Sequence, residues 1–425
     1  MTVQLLQFSS GRARAVAILS IPLFAALLSG CAGHSPQMLP PPQPAPLQIL
    51  DAAKNRYVRP QNFLPITSAA NTGFGLSLAA VGDVMLGTWV TSYLESSGAT
   101  YPFEPTKHIL QAADFAIANL EAPFTDRGEP VKDKEFTFRV PPKHAVGLKE
   151  SGFDLLHLAN NHILDYGPEG LFDTFSTLDS LALAHVGAGE NIAAAFAPVI
   201  FERQGWDGKP LRCGFLGFSM THPEEFYAGP NTPGTAFPYY ARYLAALDSL
   251  APKVDIMVVS FHWGAEKMVT PKPYQIEMAH LAIDRGADLV LGHHPHVLQG
   301  IELYRPRPNA RAGLIAYSLG NFAFGSYSRS AQTSIILKCV LDNEGLLYAR
   351  CIPINVFNEE VEGQPRLLQD RAATTVIDSL NALSRHLNQG ENVISIDGFI
   401  VPINHAAPAT NDSLVPRLSS QDGDN

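Results

Sequence analysis

Six short apolar runs in this chain each end abruptly in residues able to hold a metal ion or move a proton. The run 76–81 ends in Gly82-Asp83, 115–118 in Asn119-Leu120-Glu121, and 155–159 in Asn160-Asn161-His162. Further on, 256–261 ends in His262-Trp263-Gly264, 288–292 in His293-His294-Pro295-His296, and 313–318 in Leu319-Gly320-Asn321. Pro295 keeps the histidine cluster out of a helix interior, so it reads as a strand-end loop. Neutral imidazoles there suit zinc, manganese or iron. With Asp83, Glu121, Asn161 and His262 added, the inventory fits a site for one or two divalent ions. Such ions polarise a phosphoryl oxygen and generate hydroxide near neutral pH. Asp, Asn and His are also ordinary turn residues, so no single cluster carries the argument. Six clusters at equivalent places do.

The segment 160–167 is the most informative. Asn161 can offer an amide oxygen to a metal, which leaves His162 facing a substrate. Asp165, three residues on, would fix the ring's tautomer and raise its pKa, so that His162 could give a proton to a leaving oxygen. Asn160 or Asn161 as a helix N-cap is compatible with this. Asn119, Asn160, Trp263, Glu266, His293 and Asn321 are candidates for contacting substrate or supporting the ligands. Lys134 and Arg139 could bind a carboxylate or phosphate, although such loop residues more often form a solvated face. His157 sits inside an apolar run and reads as a packed core histidine.

These residues need elements to position them. Continuous apolar runs suit strands buried on both faces, and helical patterns at 168–181 and 273–285 lie between them. Strand–helix alternation argues for an α/β fold, in which ligands bind outside the carboxyl ends of the strands. A closing strand is expected at 346–352, after a hairpin turn at 342–345, and a helix at 371–387. The polar tail from Pro408 reads as disordered.

The N-terminus reads as a lipoprotein signal. Arg12 and Arg14 precede an apolar stretch, 15–28, that ends in Leu28-Ser29-Gly30-Cys31; the cut falls before a cysteine that would carry lipid. Ala32 rather than Asp after it favours the outer membrane, where the cell has one. The Pro-rich run 35–46 is extended and acts as a tether. The expected organisation is a signal peptide over 1–30, lipidated Cys31 and tether over 31–70, the main domain over 71–357, and a partly helical extension over 358–425. The 425 residues are 46% hydrophobic and 16% charged, as in a globular protein. The net charge of −10, which becomes −12 without Arg12 and Arg14, argues against nucleic acid as a partner. Cys213 reads as a buried small hydrophobe. Cys339 and Cys351 flank the expected hairpin and could pair.

Gly82-Asp83-Val84-Met85-Leu86-Gly87, Asn119-Leu120-Glu121-Ala122-Pro123, the segment Ala159-Asn160-Asn161-His162-Ile163-Leu164-Asp165-Tyr166-Gly167, His262-Trp263-Gly264-Ala265-Glu266, the segment 286–296 and Tyr317-Ser318-Leu319-Gly320-Asn321-Phe322 stand in one order. Together, over about 76–353, they resemble the CapA-type proteins of poly-γ-glutamate capsule synthesis. That family is similar to the calcineurin-like metallophosphoesterases, including bacterial 5′-nucleotidases. The resemblance implies a four-layer α/β/β/α sandwich. It implies metal ligands at Asp83, Glu121, Asn161, His262, His294 and His296, with His293 able to replace one of the last two. It implies an acid at His162 oriented by Asp165, and one or two Mn, Zn or Fe ions. Two positions depart from the phosphoesterase pattern. Met85 stands where those enzymes carry a histidine, and a thioether is a poor ligand for such ions. Glu121 is one methylene longer than the usual bridging Asp.

Three functions follow as expectations. The first is a surface-anchored lipoprotein that works with capsule-synthesis membrane proteins in the synthesis or export of an anionic polymer such as poly-γ-glutamate. The second is an extracytoplasmic phosphoesterase unrelated to capsule. The third is a polymer-binding module without turnover. The chain has no Walker-type glycine-rich loop, which argues against ATP-driven ligation.

Overall fold

A computed structural model of the chain describes residues 48–50, 75–205, 207–308 and 310–402. Cys31, the Pro-rich run and the tail from Pro408 lie outside the described residues.

Two large sheets form the body. The first runs in the order Gln48–Leu50, Val199–Gln204, Pro210–Ser219, Ile256–His262, Leu289–His293, Gly313–Ala316, Ile301–Tyr304. The second runs Arg366–Leu367, Gly345–Asn355, Thr333–Asp342, Leu76–Met85, Phe115–Leu120, Leu155–His157, Ala184–Val186. Asn321–Phe324 adds to Leu76–Met85, and Phe399–Ile400 adds to Gly345–Asn355. Within each sheet the strands that carry the expected clusters pair in parallel with one another. This brings their carboxyl ends together, as the strand–helix alternation predicts.

Three apolar clusters explain why the strands read as unbroken hydrophobic runs. Leu78, Ile117 and Leu155 of the second sheet pack against Phe215, Val258 and Leu291 of the first. The alternate residues Ala79, Ala116 and Leu156 face the opposite way, onto Leu94, Leu148, Leu171 and Leu178 of helices. In the first sheet, Leu216, Val259 and Val290 likewise meet Tyr243, Leu247 and Ala282 of the helices Tyr240–Leu250 and Pro273–Asp284. Period-two alternation with apolar residues on both faces is what a strand covered on both sides requires.

Observed helices at Gly167–Ser180, Pro273–Asp284 and Asp370–Ser384 fall within a few residues of the sequence expectation. The last is tied to the edge of the first sheet, where Ser384 Oγ accepts from Ile301 N at 2.9 Å. The hairpin at 342–345 is present. Cys339 faces Ala349 across it and Cys351 faces Leu337, so the two cysteines are diagonal neighbours. Both are free thiols in the core, as is Cys213, and burial pushes all three thiols well above their ordinary range. Among the described residues no helix is long and apolar enough to cross a membrane.

Candidate metal centre

Cross-strand register sets the ionisable residues at one level between the sheets. Asn321 lies opposite Asp83, Asp83 opposite Asn119, and Asn119 opposite His157. On the facing sheet Ser219 lies opposite His262, and His262 opposite His293. Register partners share a face, so each row projects as a unit toward the other sheet. Asp83 joins its row because the pairing is irregular between Ala80 and Asp83, which resets the inward–outward alternation. Gly82 makes room for this. A Cβ there would come within 1.8 Å of Gly320 O, whereas Gly82 itself lets Asp83 N donate to that carbonyl at 2.9 Å.

The expected ligands converge. His296 Nδ1 lies 3.0 Å from Asp83 Oδ2 and 3.0 Å from Asn321 Oδ1. Its Nε2 is 3.6 Å from Glu121 Oε1, and His262 Nε2 is 3.5 Å from the same oxygen. His262 Nε2 also lies 2.7 Å from Asn161 Oδ1. Glu121, His294 and His296 form one group with metal-holding spacing; Asp83, Glu121 and His262 form another that shares Glu121. His294 and His296 both adopt positive φ, at 95° and 57°, a conformation non-glycine residues hold only where the surroundings impose it.

The electrostatics describe a site short of positive charge. Burial, reinforced by the Asp83 carboxylate, pushes Glu121 well above the usual carboxylate range. Burial opposes charge on Asp83 too, but His293 and His296 beside it hold it well below that range. His296 is raised to about 10, since Glu121 and Asp83 outweigh its burial. Burial lowers His294 to about 3 and takes His262 well below its ordinary value.

The residues present fit a divalent cation. Glu121 Oε1 and His294 Nδ1 are buried without a hydrogen-bond partner, which is costly for such groups. Two ligand atoms about 2.0–2.2 Å from a tetrahedral ion lie roughly 3.3–3.6 Å apart, and the separations between Glu121 Oε1 and its two imidazole nitrogens match.

Beside this group, His162 Nδ1 lies 2.8 Å from Asp165 Oδ2, as the spacing suggested. The expected rise in its pKa does not follow. Burial dominates and lowers His162, with Lys134 adding to the effect and Asp165 only opposing it. Lys134 is the residue that sequence reasoning misplaced. Its ammonium is tucked in, 2.6 Å from Asn161 O and 2.9 Å from His162 Nδ1, and it pairs with Asp165 Oδ1. Asn161 O and Asp165 Oδ1 accept from the ammonium, while the Nδ1–H of His162 is committed to Asp165 Oδ2, so Lys134 is neither a solvated face nor a free anion binder. A lysine in a polar loop carries no signal for such a contact, which arises from a loop folding over a turn 27 residues away.

Other candidates separate. Trp263 does not line the site. It is fully buried, stacked on Phe261 at 4.3 Å, and its indole donates to Tyr317 O at 2.9 Å. Glu266 is exposed, yet its charge is felt at Glu121 and His296. His293 Nδ1 lies 3.4 Å from Asp83 Oδ1, and its ring stacks on buried His157. Asn160 caps the turn, its Oδ1 accepting from His162 N and Ile163 N. Met85 packs in the apolar cluster under the helices, and Arg139 covers the Tyr166 ring.

Residues 77–326 match the family described as bacterial capsule synthesis protein PGA_cap. The PGA biosynthesis protein CapA of Bacillus subtilis is 32% identical over 282 residues, covering 66% of this chain and 72% of that protein. The capsule biosynthesis protein CapA of Bacillus anthracis is 32% identical over 298 residues, covering 68% of this chain and 69% of that protein. A probable polyglutamine synthesis accessory protein of Mycobacterium tuberculosis is 32% identical over 204 residues, covering 46% of this chain and 53% of its own length.

Proposed function

The chain belongs to the bacterial capsule synthesis protein family PGA_cap, and on that premise we propose that it serves the synthesis or export of an anionic capsular polymer such as poly-γ-glutamate. It does so as an extracytoplasmic lipoprotein, anchored through Cys31, with a metallophosphoesterase-like site. The observation that carries the reading is the unpartnered Glu121 Oε1, buried between two imidazole nitrogens at 3.5 and 3.6 Å. Asp83, Glu121, Asn161, His262, His294 and His296 would hold one or two Mn, Zn or Fe ions. The bound ion supplies Lewis acidity toward a phosphoryl or related anionic oxygen and lowers the pKa of water. His162, held through Nδ1 by Asp165, presents Nε2 to the substrate and handles the leaving-group proton. The three apolar clusters support the α/β/β/α layering of calcineurin-like metallophosphoesterases.

A second reading is a metal-stabilised accessory protein without turnover. It draws on Met85, which lies in the core and leaves the first motif one ligand short. Two variants separate the readings. Under catalysis, His162→Ala keeps its metal affinity and loses turnover by about 10²–10⁴-fold, while His294→Ala weakens metal binding as well as turnover. The readouts are metal content, hydrolysis of aryl phosphomonoesters and phosphodiesters with Mn²⁺, and capsular polymer made by cells. Parental performance of His162→Ala in both functional assays would leave only the accessory role.

A further inference from the structure

One buried side chain touches most of the centre without belonging to either group of ligands. Asn119 Nδ2 lies 2.9 Å from Asp83 Oδ1, 3.2 Å from Glu121 Oε2 and 3.3 Å from His262 Nδ1. The ionised Asp83 carboxylate only accepts, so the nitrogen must face it. Asn119 Oδ1 then accepts from Asn160 Nδ2 at 3.0 Å. The Asn160 amide is fixed in turn. Its Nδ2 also donates to Leu120 O at 2.7 Å, and its Oδ1 accepts from His162 N at 3.1 Å and Ile163 N at 2.9 Å. One chain of hydrogen bonds therefore runs from both carboxylates through two amides to the backbone that carries His162. Both amides are buried.

This placement decides which oxygen each carboxylate presents. With Asp83 Oδ1 and Glu121 Oε2 tied to Asn119, Asp83 Oδ2 is left for His296, and Glu121 Oε1 turns to His262 and His296. Terminal carboxylate torsions are otherwise broad, so without Asn119 neither carboxylate orientation would be fixed. We propose that Asn119 is the positioning residue of the metal centre, setting the carboxylate oxygens for the ion and linking them to the turn of His162. This rests on the reading that the centre holds a divalent ion.

Zn²⁺ titration of the chelator-treated full chain by calorimetry tests it. Losing an outer partner of metal ligands costs about 10–100-fold in affinity, and Asn119→Ala should lose that much. Asn381→Ala serves as the comparison. Asn381 is also buried and makes two hydrogen bonds, to Ile394 O and from Ile394 N. It should lower the melting temperature without moving the Zn²⁺ affinity. Should Asn119→Ala fail to fold, Asn160→Ala should still weaken Zn²⁺ binding in the same direction, since it frees the Asn119 amide to rotate. Parental affinity in Asn119→Ala, or in Asn160→Ala where Asn119→Ala does not fold, overturns the assignment and leaves the metal reading standing. An equal loss in Asn381→Ala also overturns it. A parent chain that binds no Zn²⁺ overturns the assignment and the metal reading together.

Discussion

If the centre holds an ion, that ion should appear in the melting temperature, and His294 should control the size of the effect. His294 Nδ1 is buried without a partner, and the residue sits at a φ of 95°, so a bound ion would give that nitrogen the partner it lacks. Ligand bound only to the folded state at about 1,000 times its Kd adds about 4 kcal/mol. The structure describes about 330 residues; at about 2.1 cal/mol/K each, the unfolding entropy is about 0.7 kcal/mol/K. Zn²⁺ at that excess should therefore raise the melting temperature by about 6 °C. Removing one imidazole of a three-residue group should cost on the order of 100-fold in affinity, at least the upper range for lost outer partners. At the same Zn²⁺ concentration His294→Ala then sits at about 10 times its Kd, worth about 1.4 kcal/mol, or about 2 °C. The assay is differential scanning calorimetry of chelator-treated protein with and without Zn²⁺, each variant compared with its own metal-free form. Equal Zn²⁺ shifts in parent and variant would refute the assignment of His294, and no shift in the parent would refute the centre.

Lys134→Met should cost about 3–5 kcal/mol, because it strips the cation from a fully buried Asp165; a melting temperature within 1 °C of the parent would contradict the pairing. Asp288 is buried and its pKa is raised to about 6 by burial, against the pull of Arg311. Its contribution to stability is therefore full below its ordinary value and is lost as pH rises through about 6. Asp288→Asn should accordingly gain on the parent by up to about 3 kcal/mol between pH 4 and pH 7, read from urea unfolding at each pH; a constant difference would show that the carboxyl titrates normally. Cys31→Ala should release the protein from the membrane fraction or block its processing, and unchanged fractionation and migration would end the lipoprotein reading.

Which residues stand at strand ends can be read from the order of residues along the chain. Apolar runs buried on both faces must be strands, their abrupt polar ends must be loops, and strand–helix alternation must bring those loops to one edge. That reasoning named Asp83, Glu121, Asn161, His262, His294 and His296 as candidates, which the fold brings together, and it anticipated the His162–Asp165 contact and the helices within a few residues. What it could not supply was the neighbour of each side chain, because contacts across a sheet or between sheets leave no periodicity. Register alone set Asn321, Asp83, Asn119 and His157 in one row. Packing alone decided that Trp263 fills the core, that Met85 lies under the helices, and that Lys134 reaches back to Asp165. Burial, which no local pattern records, reversed the expected direction of the His162 pKa. Residue type and spacing thus fixed the candidate chemistry, while the meeting of two sheets fixed its geometry, since distance and desolvation exist only once distant parts of the chain are packed together.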